Sequence, residues 1–245
     1  MFGITAVGTA TAGYFLSLGS VGLFVLSAIM LRAAITDYKL PVLIILIASL
    51  LALVALLLSL GALLFGQISQ LNVPRTLIAV VLSAAIFVPV FLAGRALEGI
   101  PMINDIMTDT NNPPQFEVVP TQRKAFDNSL ELSENRLAFH EKHYGDLAPL
   151  IVEGAPDRHF DKVVALVDAR GWKIVAKNRS KGVIEATDTT VLFGFKDDVV
   201  IRLMAENGAT RIDMRSASRQ GRSDFRVNAN RIEAFLADLK TALNG

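Results

Sequence analysis

Three apolar runs fill most of the first 97 residues, over residues 13–31, 42–65 and 76–97. Each is close to the ~20 residues that cross a hydrocarbon core of ~30 Å as a helix. The second, "VLIILIASLLALVALLLSLGALLF", carries no ionisable group at all. A cleaved signal peptide fits poorly, because no charged stretch precedes the first run and two more runs follow it. Core helices of a soluble protein rarely come as three consecutive uncharged runs. The sequence therefore predicts three transmembrane helices over residues 1–97, and a multi-pass protein whose first partner is the lipid bilayer.

Charge is split along the chain to match. Residues 1–97 hold Arg32, Lys39, Arg75, Arg95 and Asp37, and the rest hold 20 basic and 22 acidic side chains. The formal charge of +1 thus averages an almost uncharged region with a mildly acidic soluble one. Nucleic-acid binding needs a basic surface, so no nucleic-acid partner is expected. No cysteine is present, which excludes disulfides, thiol catalysis and Cys-ligated metals.

Within the runs, small residues are regularly placed. Ala48, Ala52, Ala55, Ser59, Ala62 and Gly66 recur at spacings of four and three, one face of a helix. Small residues let helix backbones approach where lipid is as apolar as leucine. The stripe serves either packing among the three helices or docking onto another membrane subunit. Ala79 and Ser83 begin a similar stripe, and Pro89 should kink or loosen the third helix. No Asp, Glu, Lys, Arg or His lies in the interior of a run, Arg32 and Arg95 sitting near ends, so a stand-alone pump or transporter is not expected.

After Arg95 the composition changes. "EGIPMINDIMTDTNNPPQF" is rich in turn formers, with Pro113-Pro114 favouring stiff, extended backbone. Residues 98–146 are expected as a rigid linker followed by a polar helix over 121–143. Asp105, Asp109 and Asn111 offer hard oxygens, but not at the spacing of a calcium loop. His140 and His143 lie three apart in "HEKH", which is not the metalloprotease spacing, and a solvated helix face is expected. No metal, cofactor or catalytic residue is assigned.

Residues 147–245 read as an α+β domain. A short strand at 150–153 precedes "APDRHFDKVVALVDARG", a helix with Phe160, Val163, Val164 and Val167 on one face. Two strands, "WKIVAKN" and "GVIEATDTT", follow. Asn207-Gly208 predicts a type I′ hairpin in "DDVVIRLMAENGATRIDMRSAS", with paired residue numbers summing to 415. Val199, Ile201, Leu203, Ile212 and Met214 should then face the core, and Arg202 should oppose Asp213 on a wet face. A last helix, capped by Ser223 or Asp224, should bury Ile232, Phe235, Leu236, Leu239 and Leu243. The predicted fold is a mainly antiparallel sheet of four or five strands with two helices on one face, helix-grip or TATA-binding-protein-like.

The blocks "INDIMTDTNNPPQF", "EATDTTVLFGFKDDVVIRL" and "RIDMRSASRQGRSDFRVNANRIEAFL" resemble those of a bacterial family, domain of unknown function 1499, over roughly residues 99–243. The resemblance implies a membrane-associated or exported protein without an assigned activity, here in the bacterial inner membrane. Members often carry histidine where this chain has Asn104, so histidine chemistry there does not carry over. They often carry glycine where it has Arg226. The resemblance also implies a domain frequently outside the cytoplasm, whereas Arg32, Lys39 and Arg95 lean the domain towards the cytoplasm. The two indications oppose each other and the sequence assigns no side.

One run points to chemistry. "MRSASRQGRSD" interleaves Arg215, Arg219 and Arg222 with serines and ends at a helix start. Guanidinium forks and free backbone N–H groups there make an anion site, with Ser223 as its backbone donor. A phosphate, a lipid headgroup or an envelope carboxylate would suit it. The alternative is structural pairing with Asp197, Asp198 and Asp224. No base stands near these serines and no nucleophile elbow is present. A non-catalytic binding or assembly module of a larger membrane complex is therefore expected, and a membrane-bound hydrolase or transferase on an anionic lipid or envelope substrate is the alternative.

Overall fold

The computed structural model describes residues 2–244, with side-chain surroundings from residue 6 to residue 243. The chain divides into two compact units, residues 1–98 and 99–245.

The first unit is three helices: α1 (Phe2–Ala33), α2 (Lys39–Phe65) and α3 (Val73–Ala96). All three are long and apolar enough to cross a membrane, over Ala6–Ala33, Lys39–Phe65 and Val73–Ala96. The first run is therefore longer than its uncharged centre indicated. The helix α3 continues through Pro89, and Asn72 caps it by accepting from the Arg75 N–H. The unit is small inside and large outside. Ala48, Ala52, Ala55, Ser59 and Ala62 are buried, as are Ser17, Ser20, Ser27, Ala79 and Ser83. Phe15, Leu50, Leu57, Val81 and Phe91 face outwards. Helices approach closely at Gly13, where an added Cβ would strike the Ser59 hydroxyl. Gly66, the last residue of the stripe, has no room either, against the Ala62 carbonyl and Ala6. Five of the six stripe residues are thus buried within the three-helix unit, and Gly66 is half-buried. Buried hydroxyls mostly bond to backbone, with Ser27 donating to the Pro41 carbonyl of the neighbouring helix at 2.7 Å.

The second unit is built on a six-stranded antiparallel sheet: β1 (Asp105–Met107), β2 (Leu150–Glu153), β3 (Lys173–Asn178), β4 (Val183–Thr189), β5 (Lys196–Glu206) and β6 (Ala209–Ser218). The order is β1-β6-β5-β4-β3, and β2 also pairs with β6. The hairpin register is the expected one, from Glu206 opposite Ala209 to Asp197 opposite Ser218. Asn207 and Gly208 both have positive φ, 51° and 82°, as a type I′ turn requires.

Three helices complete the unit: α4 (Glu134–Tyr144), α5 (Pro156–Ala169) and α6 (Val227–Asn244). Phe160, Val163 and Val167 of α5 and Ile232, Phe235 and Leu239 of α6 share one core with Ile184, Val199, Ile201, Ile212 and Met214. Alternation along the strands puts all these sheet residues on a single face. Trp172, the only tryptophan, lies buried there, stacked on Phe235 at 5.4 Å.

Three expectations are corrected. Residues 99–146 belong to the second unit instead of spacing it from the membrane, and Asp105–Met107 forms β1 against Arg215–Ala217. The helix expected over 121–143 starts only at Glu134, capped by Ser133. Before it, Asp127 accepts from the Lys124 N–H and closes a turn instead. The sheet face expected to be wet is buried: Glu185, Asp198, Asp213 and Arg215 are at most 1% exposed. Residues 108–131 cover it.

Candidate functional site

The covered face is a layer of ion pairs. Arg215 is fully buried and grips both oxygens of Asp105 with one guanidinium edge, Nε to Oδ1 at 2.9 Å and Nη2 to Oδ2 at 2.8 Å. Its other protons go to the carbonyls of Pro114 at 3.2 Å and Leu130 at 2.8 Å. Arg219 grips Asp198 in the same way, at 2.9 and 2.8 Å, and donates to the Gln122 carbonyl at 3.0 Å. Arg123 also donates to Asp198, at 2.8 Å, and Thr187 donates a fourth bond at 2.7 Å. Burial lowers the Arg123 pKa, opposed by the Asp198 carboxylate beside it. Further along, Arg202 and Arg211 share Asp213 and Asp109.

Glu185 completes the layer without an arginine. Its carboxylate accepts the backbone N–H groups of Glu117 at 2.8 Å, Val118 at 3.0 Å and Val119 at 2.7 Å. Buried carboxylates are tolerable when bonded this fully. The polar segment 104–116 thus has a structural use. Asp105, Asp109 and the carbonyls of Asn112 and Pro114 serve the arginines of the sheet. Asp109 also closes a local turn by accepting from the Asn111 and Asn112 N–H groups.

Arg215, Arg219, Arg222 and Ser223 therefore do not meet in one pocket. Arg215 and Arg219 are spent on Asp105 and Asp198. Ser223 donates to the Pro101 carbonyl at 3.3 Å and accepts from the Phe225 N–H. Helix α6 begins four residues later than Ser223, and Asp224 occupies its N-terminal donors, accepting from Asn228 N–H at 2.7 Å. Burial raises the Asp224 pKa, with these backbone bonds opposing the shift.

Arg222 is different: it is exposed and makes no ion pair among the described residues. It lines a cleft of about 550 Å³ together with Asn104, Asn128, Ser129, Asn135, Arg136 and the apolar Met102, Ile103 and Phe139. Arg136 is held by the carbonyls of Ser129 at 3.2 Å and Glu131 at 2.8 Å. Its Nη2 reaches Asn104 Oδ1 at 3.4 Å and stands 3.8 Å from Asp105. The amides of Asn104 and Asn128 both donate to the Gly221 carbonyl, which fixes the turn that carries Arg222. Arg136, Asn104 and Asn128 come from three separate segments, so no local pattern could have flagged them together.

The histidines lie elsewhere. His140 is buried, and its Nε2 accepts the Met107 N–H at 3.0 Å. Burial lowers its pKa, with Asp105 and Glu141 opposing. His143 instead meets the Phe139 carbonyl at 2.9 Å, so the two do not face one ligand. No group of three metal-ligating side chains is found among the described residues.

What these features define is an α+β domain joined to three helices long and apolar enough to span a membrane. The chain belongs to the family described as "Protein of unknown function (DUF1499)", whose model matches residues 105–239, more than half its length. No curated protein matches the chain. The matched region begins at β1 and includes both partners of the arginine layer, Asp105 with Arg215 and Asp198 with Arg219.

Arg226 sits at φ 66°, next to Phe225 at φ 55°, in the left-handed region where side chains are disfavoured and glycine is not.

Proposed function

We propose that the protein is a non-catalytic binding module, held at a bacterial membrane by its three helices and serving a larger membrane or envelope assembly, with the Arg136–Arg222 cleft as the seat of an anionic ligand. The observation that carries this reading is the cleft itself. It sets one uncommitted guanidinium, Arg222, beside a second, Arg136, that is pre-positioned by backbone carbonyls. Amides and a hydroxyl line the same space, and Phe139 and Met102 give it an apolar side. A group with a phosphate or carboxylate head and a less polar body suits this lining. The sheet with two helices on one face is of the helix-grip kind, a likeness of architecture that carries no activity.

The test is direct binding by calorimetry to the full chain in neutral detergent, with inorganic phosphate and short-chain phosphatidic acid as probes. Arg222→Ala should weaken binding at least tenfold, and Arg222→Lys should restore part of it. Phosphate alone binding as well as phosphatidic acid marks a free anion as ligand, and a preference for the lipid marks a headgroup. Equal affinity of wild type and Arg222→Ala for both probes overturns the reading.

A further inference from the structure

The strands of the second unit end in two sets. At one end lie the start of β1, the end of β6, the start of β5 and the end of β4, because Asp105 pairs with Ala217 and Thr189 with Lys196. The chain also comes into the domain at this end. Asn104 accepts the Ser218 N–H through its carbonyl, and Pro101 is bonded to Ser223.

The exposed large apolar residues of this unit are gathered there. Of eight, five lie at this end: Met102, Val191, Leu192, Phe225 and Val227. Val191 is 90% exposed and Leu192 60%. Their exposure is enforced by the turn between β4 and β5. Thr190 N–H donates to the Phe195 carbonyl at 2.9 Å, Gly194 N–H to the Thr190 carbonyl at 3.0 Å, and Phe195 N–H to the Thr190 hydroxyl at 2.9 Å. Soluble surfaces scatter such residues singly, and a gathered set marks a partner. Cations flank them, with Lys196 at the start of β5 and Arg222 beyond β6, both exposed.

We propose that this end of the domain docks on an anionic bilayer, with Val191 and Leu192 entering the acyl region and Lys196 and Arg222 meeting headgroup phosphates. Chain length favours lipid over a soluble protein as the occupant. The third apolar helix ends at Ala96, and the residues between it and Pro101 reach at most about 18 Å when extended. A bilayer holding that helix lies within reach of this end. Apolar tips ringed by cations are how peripheral surfaces hold anionic membranes. The inference stands on the apolar turn and shares only Met102 and Arg222 with the cleft.

The chain has no cysteine, so single nitroxide labels can be placed cleanly. The full-length protein is reconstituted in nanodiscs of phosphatidylcholine and phosphatidylglycerol. One variant carries Leu192→Cys and the other Ser180→Cys, an exposed position in the turn between β3 and β4 at the opposite end. Collision of the label with a water-soluble nickel reagent should fall several-fold at residue 192 relative to 180, and collision with oxygen should rise. Equal nickel access at both positions overturns the proposal. So does shielding from nickel with no gain in oxygen access, which marks a protein cover, including a second copy.

Discussion

The two units bury opposite materials. In the helical unit the interior is mostly alanine and serine, and most of the large apolar side chains point outwards. In the sheet domain the large apolar side chains are inside, and a second interior layer is made of ions. The difference follows from the surroundings each is made for. Among lipid tails, apolar burial gives no driving force between helices, so close backbone approach has to hold them. In water the apolar face drives folding, and charges enter the interior only with partners in hand. The helical unit places no charged side chain inside its bundle among the described residues. The domain buries Arg215 and Asp198 completely, each with at least four hydrogen bonds.

The comparison is broken most severely at Asp198. Asp198→Ala leaves Arg123 and Arg219 buried without their carboxylate, at a cost of about 3–5 kcal/mol. Denaturation of the full chain in detergent, followed by fluorescence of Trp172, reads the domain alone. The helical unit should be untouched, because its packing uses none of these charges.

The reverse experiment is Ala55→Leu. Ala55 is fully buried in the small-residue seam, and overpacking there should cost about 1–3 kcal/mol. Protease resistance of the helical unit in detergent should drop while the Trp172 transition stays in place.

A smaller effect comes from pH. His140 has its pKa depressed by burial below its ordinary value of 6.5. The unfolded chain then binds a proton that the folded one does not as pH falls below 6.5. Domain stability should therefore be full above that value and decline as pH falls towards the folded pKa, by ~1.4 kcal/mol per unit of depression. His140→Gln should flatten that part of the stability profile measured between pH 7 and 5.

Arg226→Gly should have the smallest effect and the opposite sign. Relief of the left-handed backbone should raise domain stability by about 0.5–1 kcal/mol, since the exposed Arg226–Glu233 pair contributes little. A rise in the denaturation midpoint with unchanged slope checks it.

Much of this architecture was legible because it is periodic or local. The apolar runs, the helix stripes of α5 and α6, and the register set by Asn207-Gly208 all follow from spacing within a few residues. The small-residue stripe was legible too, although spacing alone left open whether it packed at home or on another subunit. The covered face was not legible. Asp105 and Arg215 are 110 positions apart, and a three-residue strand among turn formers gives no period to read. For the arginine run, the alternative of structural pairing named Asp198, which does take Arg219, but not Asp105, the distant partner of Arg215. Only Arg222 of the three is left without an ion pair among the described residues, and its cleft neighbour Arg136 came from a helix read as a plain polar face.

The most direct test of this account compares Arg219 with Arg222 in the same melt. Full-length wild type, Arg219→Ala and Arg222→Ala are heated in neutral detergent with and without short-chain phosphatidic acid, following Trp172. Arg219→Ala should lower the transition by roughly 10 °C and keep the upward shift given by ligand. Arg222→Ala should melt with wild type and lose that shift. An Arg219→Ala protein that melts like wild type but no longer responds to ligand would contradict the account, and so would an Arg222→Ala protein that still responds in full.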